Sequence, residues 1–469
     1  MDGIPAPIKR IIIMILSCGV FMESVDSTVI TVAIPKMALS LGDTPLNMKV
    51  ALTSYLLSLA IFIPISSWFA EKMGTQQVFK MAMLIFTLGS FLCGISNSLH
   101  TLVPARILQG LGGAFMMPVG RLILVRVFEK RELIQAMMTI SVISSIGFAL
   151  GPMIGGVLTT FINWRWIFFI NIPFGLLGAY LTQHYFYNYR ASRLRPFDTV
   201  GFLLFGFGLT IIMYTFDTVG ERFLSLNEQI SLFFVGVLLL GIYFIHAQQI
   251  RYPLLDLHLF KLRTFLVAFL GNIVSRVATG GMVFMMPLFL QLCFNQTPLV
   301  SGLYLVCIAT GMIAIKPAVD RILKRWGYRN TLRINMVLIG IIIFTFTQIS
   351  APLNPWQLGI SLFVYGMALS IQYPAINSLY FANLSEKRFG DASAITNITQ
   401  QLFTSIGIGL SAILLMIFAK SIFYVHQLLT PLIFHRTFII MSLIAIFGSV
   451  VFWGLNEKDG RELSGHQTA

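Results

Sequence analysis

Apolar side chains run along this chain in blocks of about twenty, each closed by a short polar stretch. The blocks cover 11–34, 50–70, 78–97, 102–125, 136–160, 166–187, 199–219, 229–249, 265–291, 299–319, 331–350, 356–380, 393–418 and 435–455. A block of that length crosses a hydrocarbon core of about 30 Å when it coils as a helix rising about 1.5 Å per residue. Strands of about ten residues with alternating polarity are absent, so the pattern predicts a helical bundle and not a barrel. The expected fold is an all-α integral membrane protein with fourteen transmembrane helices. The first block, from Ile11, runs past signal-peptide length without a small-residue cleavage pattern, so it reads as a retained helix.

Composition agrees with that reading. Of 469 residues, 57% are hydrophobic and 11% charged, against about 25% charged in soluble domains. The four cysteines, Cys18, Cys93, Cys293 and Cys307, stand singly in apolar blocks. Neither a disulfide framework nor a metal site is implied, and no cofactor is expected. Nucleophile–base, metal-ligand and phosphate-loop patterns are also missing, so enzymatic chemistry is not expected.

The net charge of +14 changes the picture only through its distribution. Connections after even-numbered blocks, and both termini, hold most of the Lys and Arg: Arg126, Lys130, Arg131, Arg190, Arg193, Arg195, Lys261, Arg263, Lys324, Arg325 and Arg329 among them. The opposite connections hold Lys36, Lys49, Arg165, Arg222, Lys420 and Arg436. Basic residues collect on the cytoplasmic side of membrane proteins, which predicts that both termini are cytoplasmic. Nucleic acid is then not needed to explain the basicity.

Five charges lie deep within blocks: Glu23, Asp26, Arg106, Arg276 and Lys316. Each costs about 2.5–3.5 kcal/mol at mid-membrane, roughly 10 kcal/mol or more together if unpaired. That rivals the stability of a whole domain, about 5–15 kcal/mol, so these groups must face one another or water. Gly19, Glu23 and Asp26 fall on one helical face, and Arg106, Gln109, Gly113 and Met117 on another. Opposite helix directions put Asp26 and Arg106 at similar depth. Carboxylates three residues apart disfavour simultaneous ionisation. Asp26, with Glu23 as helper, is therefore the expected proton carrier, with Arg106 as a counter-charge whose distance depends on conformation. Lys316, beside Pro317, can snorkel to the interface.

Gly147, Gly151 and Gly155 recur at every fourth position, with Gly156 beside the last and Pro152 inside the block. Such a stripe admits a second helix closely, and the proline bends its own helix. The string Gly147-Phe-Ala-Leu-Gly151-Pro152-Met-Ile-Gly155-Gly156 resembles the antiporter motif of fifth helices in the major facilitator superfamily. Ser67-Trp-Phe-Ala-Glu71-Lys72-Met-Gly74-Thr-Gln resembles that superfamily's loop signature between its second and third helices, with Ser67, Glu71, Thr75 and Gln76 departing from it. Glu71 and Lys72 at the Gly74 turn would then form a latch that pairs with neighbouring helices in one conformation. A partial echo, Lys324-Arg325-Trp326-Gly327-Tyr-Arg329, suggests an internal repeat.

Fourteen blocks, with Asp26-Ser-Thr-Val-Ile-Thr-Val-Ala-Ile-Pro35, Arg106-Ile-Leu-Gln109-Gly110-Leu-Gly-Gly113 and Trp164-Arg-Trp-Ile-Phe-Phe-Ile-Asn-Ile-Pro173, resemble the fourteen-helix drug:proton antiporter-2 family of EmrB/QacA type. Within it the chain looks most like the MdtD-type multidrug resistance proteins, Pro118-Val-Gly-Arg121 included. The resemblance implies the major facilitator fold: two six-helix bundles, 1–190 and 265–456, an inserted helix pair at 191–250, a cytoplasmic linker at 251–264 and a tail at 457–469. It also implies that Arg276 approaches the acid pair, and that Arg276, Gln109, Asn272, Met282, Tyr365, Gln372, Tyr373, Asn377 and Gln400 contact substrate.

The function expected is proton-coupled export of small amphipathic organic compounds or drugs by alternating access, in a bacterial cytoplasmic membrane. The partners expected are a small-molecule substrate, protons and membrane lipid, with the chain acting as a monomer. Export of an endogenous anion such as a siderophore or carboxylate is a second expectation, and a non-transporting membrane sensor on the same fold a third.

Overall fold

A computed structural model describes residues 5–191, 194–219, 224–385, 388–422, 429–456 and 459–460. The chain divides into two compact units, Met1–Phe202 and Leu203–Ala469. The described residues contain no strand.

Unit 1 holds α1 (Ala6–Val29), α2 (Ile34–Leu41), α3 (Lys49–Met73), α4 (Thr75–Ile95), α5 (Leu99–Val127), α6 (Lys130–Phe161), α7 (Trp166–Phe169) and α8 (Asn171–Tyr185). The first membrane block ends as an α-helix at Val29, earlier than its apolar run to residue 34. Residues Ile30–Val32 tighten into a 3-10 turn, and Pro35 in the first turn of α2 restarts the chain in a short amphipathic helix. Ser98 and Thr101 form a reciprocal cap that starts α5. The glycine stripe of α6 lies against α1: a Cβ at Gly147 would sit 3.0 Å from Ser24, and one at Gly151 would collide with Thr28. Gly155 faces Val29 and Val32, and Gly156 is buried. Ser24 and Ser144 close the same contact with a 2.8 Å hydrogen bond. Pro152 lies within α6, which continues through it as one helix.

Unit 2 takes up α9 (Thr199–Thr218), which crosses the boundary between units, then α10 (Leu226–Gln249), α11 (Arg263–Leu288), α12 (Pro298–Thr345), α13 (Pro355–Phe381), α14 (Phe389–Ile422) and α15 (Pro431–Gly448). α12 is two membrane crossings end to end. They meet at Gly327, whose φ of 69° and ψ of 170° are non-helical and suit only glycine. Gly74 breaks the chain between α3 and α4 in a similar way, with φ 102° and ψ 144°, so each unit carries the same glycine turn.

Among the described residues twelve helices are long and apolar enough to cross a membrane. The kinked α12 contains two crossings, and α1, with 24 residues, adds one more. The total is the fourteen expected. The pair α9 and α10 packs through Gly208 and Gly236, while Phe234, Leu238 and Ile245 of α10 are exposed apolar groups. The segment after α10 folds into a 3-10 turn, Leu257–Lys261, with Leu255 and Leu259 buried. The Leu255 amide donates to the Tyr243 hydroxyl at 3.1 Å. The expected tail at 457–469 lies outside the described residues except for 459–460.

Candidate functional site

The most polar point inside unit 1 is also its driest. Asp26 of α1, Arg106 and Gln109 of α5 and Ser90 of α4 all have no solvent exposure. An Arg106 Nη1 donates to Asp26 Oδ2 at 2.7 Å and to Gln109 Oε1 at 2.5 Å. Gln109 Nε2 donates to Asp26 Oδ1 and to Ser90 Oγ, both at 2.7 Å. Asn171, at the start of α8, donates to Asp26 Oδ1 and to Ser90 at 3.4 Å. Arg106 Nε donates to the Ala51 carbonyl at 3.0 Å, and the guanidinium lies 4.2 Å from the Tyr55 ring centroid. Side chains of α5 and α8 thus donate to one carboxylate on α1, and Ser90 of α4 holds the Gln109 and Asn171 amides.

The spacing Arg106-x-x-Gln109 is what makes this possible. Three residues apart on a helix, the two side chains share a face, so one α5 surface delivers a cation and an amide to both oxygens of Asp26. Gly112, three residues beyond Gln109, abuts Ala82 and Phe86; without a Cβ it lets α4 come close enough for Ser90 to reach the amide. Two donors remain unused among the described residues: Arg106 Nη2, and the hydroxyl of Tyr55, are buried without a hydrogen-bond partner.

Glu23 stands apart from this cluster. It is half-buried, and among the described residues it makes no hydrogen bond or ion pair. Although it lies one turn from Asp26, it takes no part in the hydrogen bonds around that carboxylate.

The α3–α4 turn is secured differently from the expected latch. Lys72 lies 4.8 Å from the Trp68 ring centroid, and Glu71 makes no side-chain ion pair among the described residues. Backbone groups do the joining. The Ala191 amide donates to the Glu71 carbonyl and the Thr75 amide to the Tyr189 carbonyl, both at 3.0 Å. Arg190 Nε donates to the Met73 carbonyl at 3.0 Å. With neutral Thr75 and Gln76 in place of basic residues, the segment after α8 supplies what charge does not.

In unit 2, Arg276 of α11 stacks on Tyr373 of α13, with 3.7 Å from the guanidinium carbon to the ring centroid. Its Nε donates to Asn272 Oδ1 at 3.4 Å, and Thr279 and Tyr373 share a 2.6 Å hydrogen bond. Gln400 Nε2 donates to Asn377 Oδ1 at 3.0 Å. Arg276, Tyr373, Asn377 and Gln400 are all half-buried. Three other expected substrate contacts are packed into the interior of the unit. Met282 and Tyr365 are 3% and 2% exposed, and Gln372 is fully buried, donating to Ser275 and accepting from Asn335. Gln109 likewise serves Asp26 and not an open surface. Lys316 is exposed. Among the described residues no group of His, Cys, Asp and Glu could hold a metal ion.

The helix order and the buried ion pair together define a secondary transporter fold. Solved structures agree: a peptide transporter POT in complex with sulfate superposes with a TM-score of 0.71, covering 96% of this chain and 95% of that one at 14% identity. A D-xylose-proton symporter superposes at 0.67, with 96% and 99% coverage and 12% identity. At such identities the likeness is one of fold.

The chain belongs to the Major Facilitator Superfamily, whose family model matches residues 16–408. It is a multi-pass membrane transporter. It is 33% identical over 440 residues to the protein named "Putative multidrug resistance protein MdtD" of Pectobacterium carotovorum subsp. carotovorum (strain PC1), covering 93% of this chain and 94% of that one. The protein of the same name in Serratia proteamaculans (strain 568) is 35% identical over 416 residues, with 89% and 86% coverage.

Sequence reasoning found Asp26, Arg106 and Gln109 but not Ser90, Asn171 or Tyr55. Ser90 is a lone hydroxyl in an apolar run, and Asn171 sits inside the Trp164–Pro173 string. A polar residue at mid-membrane depth was the available signal in both.

Proposed function

We propose that this chain is a proton-coupled exporter of small amphipathic organic compounds, with Asp26 as the proton carrier. The observation that carries this reading is the complete burial of Asp26 with Arg106 and Gln109. Ionised, Asp26 forms a neutral pair with Arg106 and accepts from two donors. Protonation removes the negative charge and leaves a buried guanidinium unbalanced, which is strongly unfavourable in a low-dielectric interior. The protein relieves that cost by moving Arg106 towards water or another acceptor, so proton binding and helix movement are one event. Arg106 and Gln109 convert the proton into motion. Glu23, one turn away on α1, is an auxiliary acid.

The direction of pumping rests on the relatives' name and on the α6 glycine stripe, which lets α6 slide or rock against α1. The Gly74 turn, with Glu71 and Lys72, belongs to the same moving machinery. The basic residues of the loops support cytoplasmic termini in a bacterial cytoplasmic membrane. We assign residues 1–190 and 265–456 to the two six-helix bundles, 191–250 to the inserted pair and 251–264 to the linker, acting as a monomer.

The test is proton movement in proteoliposomes holding the full chain and an imposed pH gradient. Addition of a transported organic compound should release protons from the lumen in wild type and not in Asp26→Asn. Undiminished coupled flux in Asp26→Asn removes Asp26 from the role.

A further inference from the structure

The Asp26 site accounts for Arg106 in unit 1; it leaves Arg276 of unit 2 unexplained. α11 and α13, which hold Arg276 and Tyr373, contain no Asp or Glu, and among the described residues no carboxylate pairs with Arg276. Its Nε has one long bond to Asn272, and its two Nη groups donate to nothing in the described residues. Stacking on Tyr373 contributes less than a guanidinium costs at membrane depth. A half-buried cation that is only partly compensated can take an anion.

We propose that Arg276 binds the acidic head of the transported compound, so that the substrates are amphipathic organic anions carrying a carboxylate or sulfonate on an aromatic body. The geometry is suited to it. Asn272 holds Nε, which leaves the Nη pair as a planar fork for two oxygens, the arrangement in which arginine binds carboxylates best. Thr279 fixes the Tyr373 hydroxyl, so the ring is held flat under the guanidinium. Tyr373 and Asn377 are four residues apart on one face of α13. Asn377 and Gln400, joined to each other and half-buried, offer amide groups one turn away for the polar parts of the body.

This inference rests on the transporter reading, but its test does not need proton movement. The probe is naphthoate, compared with naphthamide and naphthylmethylammonium, which keep the ring and change the head to neutral or cationic. Binding to purified full-length protein in detergent is followed by calorimetry. Naphthoate should bind about tenfold or more tightly than the amide, and the ammonium weakest. Arg276→Gln should remove the preference for naphthoate and leave the amide unchanged; Arg276→Lys, charged but unable to fork, should retain part of it. Binding that ignores head charge, or that favours the ammonium, overturns the proposal. So does an undiminished naphthoate preference in Arg276→Gln. The wild-type series decides the matter even if Arg276→Gln does not fold. Loss of coupled flux in wild type with naphthoate preference intact counts against the proton reading alone.

Discussion

The two units carry the same buried device, charged in one and neutral in the other. In unit 1, Gln109 on α5 bridges Asp26 on α1 and Ser90 on α4. In unit 2, Gln372 on α13 bridges Ser275 on α11 and Asn335 on α12. The helices correspond in order: first, third and fourth of each repeat. Asn335 also donates to the Ala368 carbonyl at 2.9 Å, so the second site is a helix-packing clasp made of amides and a hydroxyl. An aspartate and an arginine turn the same clasp into a group that can gain or lose a proton at a large electrostatic cost. The cation of unit 2, Arg276, is displaced by one position from the clasp and faces an aromatic ring. One repeat therefore centres on a buried ion pair, the other on a neutral core beside a guanidinium stacked on a tyrosine ring.

Unequal damage should sharpen that contrast. Arg106→Ala strands a buried carboxylate, a change that costs about 3–5 kcal/mol. The expected result is severe loss of folded protein and a lowered unfolding temperature in detergent, with Asp26→Asn in the same background restoring part of it. Failure of the second change to help would mean that the two residues are not an energetic unit. Gly151→Val comes next. Its side chain meets Thr28 across the α1–α6 contact, and overpacking of this kind costs about 1–3 kcal/mol; transport rate should fall more than substrate binding if that contact moves. In the neutral clasp, Gln372→Leu takes one hydrogen bond each from Asn335 and Ser275, which keep the Ala368 carbonyl and the Met336 sulfur, at about 0.5–1.5 kcal/mol per bond lost. Thermal unfolding should register it, while the proton stoichiometry of the remaining transport stays as in wild type. A changed stoichiometry would contradict the division of labour.

The smallest effect belongs to the surface. Lys9 Nζ lies 2.6 Å from Glu132 Oε2, at the N-terminal end of α6 and ahead of its membrane span. The hydrogen bond from Lys9 holds the Glu132 carboxyl below its ordinary range. With the folded-state value depressed, whatever the pair contributes is present above the unfolded carboxyl value, about 4.3, and disappears as pH falls through the folded one. Exposed pairs contribute little, so Glu132→Gln should leave the unfolding temperature at neutral pH nearly unchanged.

Much of this was legible in the chain itself, and the reasons differ by element. Hydrophobic length alone separates fourteen crossings, because lipid imposes one dimension on every helix. Gly327 is recognisable as a turn inside what the structure draws as one long helix. The pairing of Asp26 with Arg106 follows from depth and from the cost of leaving either alone. Rotation of one helix about its axis is not legible in the same way. Glu23 and Asp26 share a face, yet they differ by about 60° of rotation, enough to bring Asp26 to Arg106 and leave Glu23 out of that cluster. Met282, Tyr365 and Gln372 look like a pocket lining in sequence, yet all three are buried in the interior of unit 2. At Glu71 this conformation joins the turn to the segment after α8 through backbone carbonyls, which sequence does not distinguish.

The central claim is that Asp26 itself takes up the proton. Infrared difference spectra of reconstituted protein, recorded between acidic and neutral pH, report carboxyl protonation directly. A protonated-carboxyl band that is present in wild type and in Glu23→Gln, and absent in Asp26→Asn, is the predicted result. The same band persisting undiminished in Asp26→Asn would contradict the account.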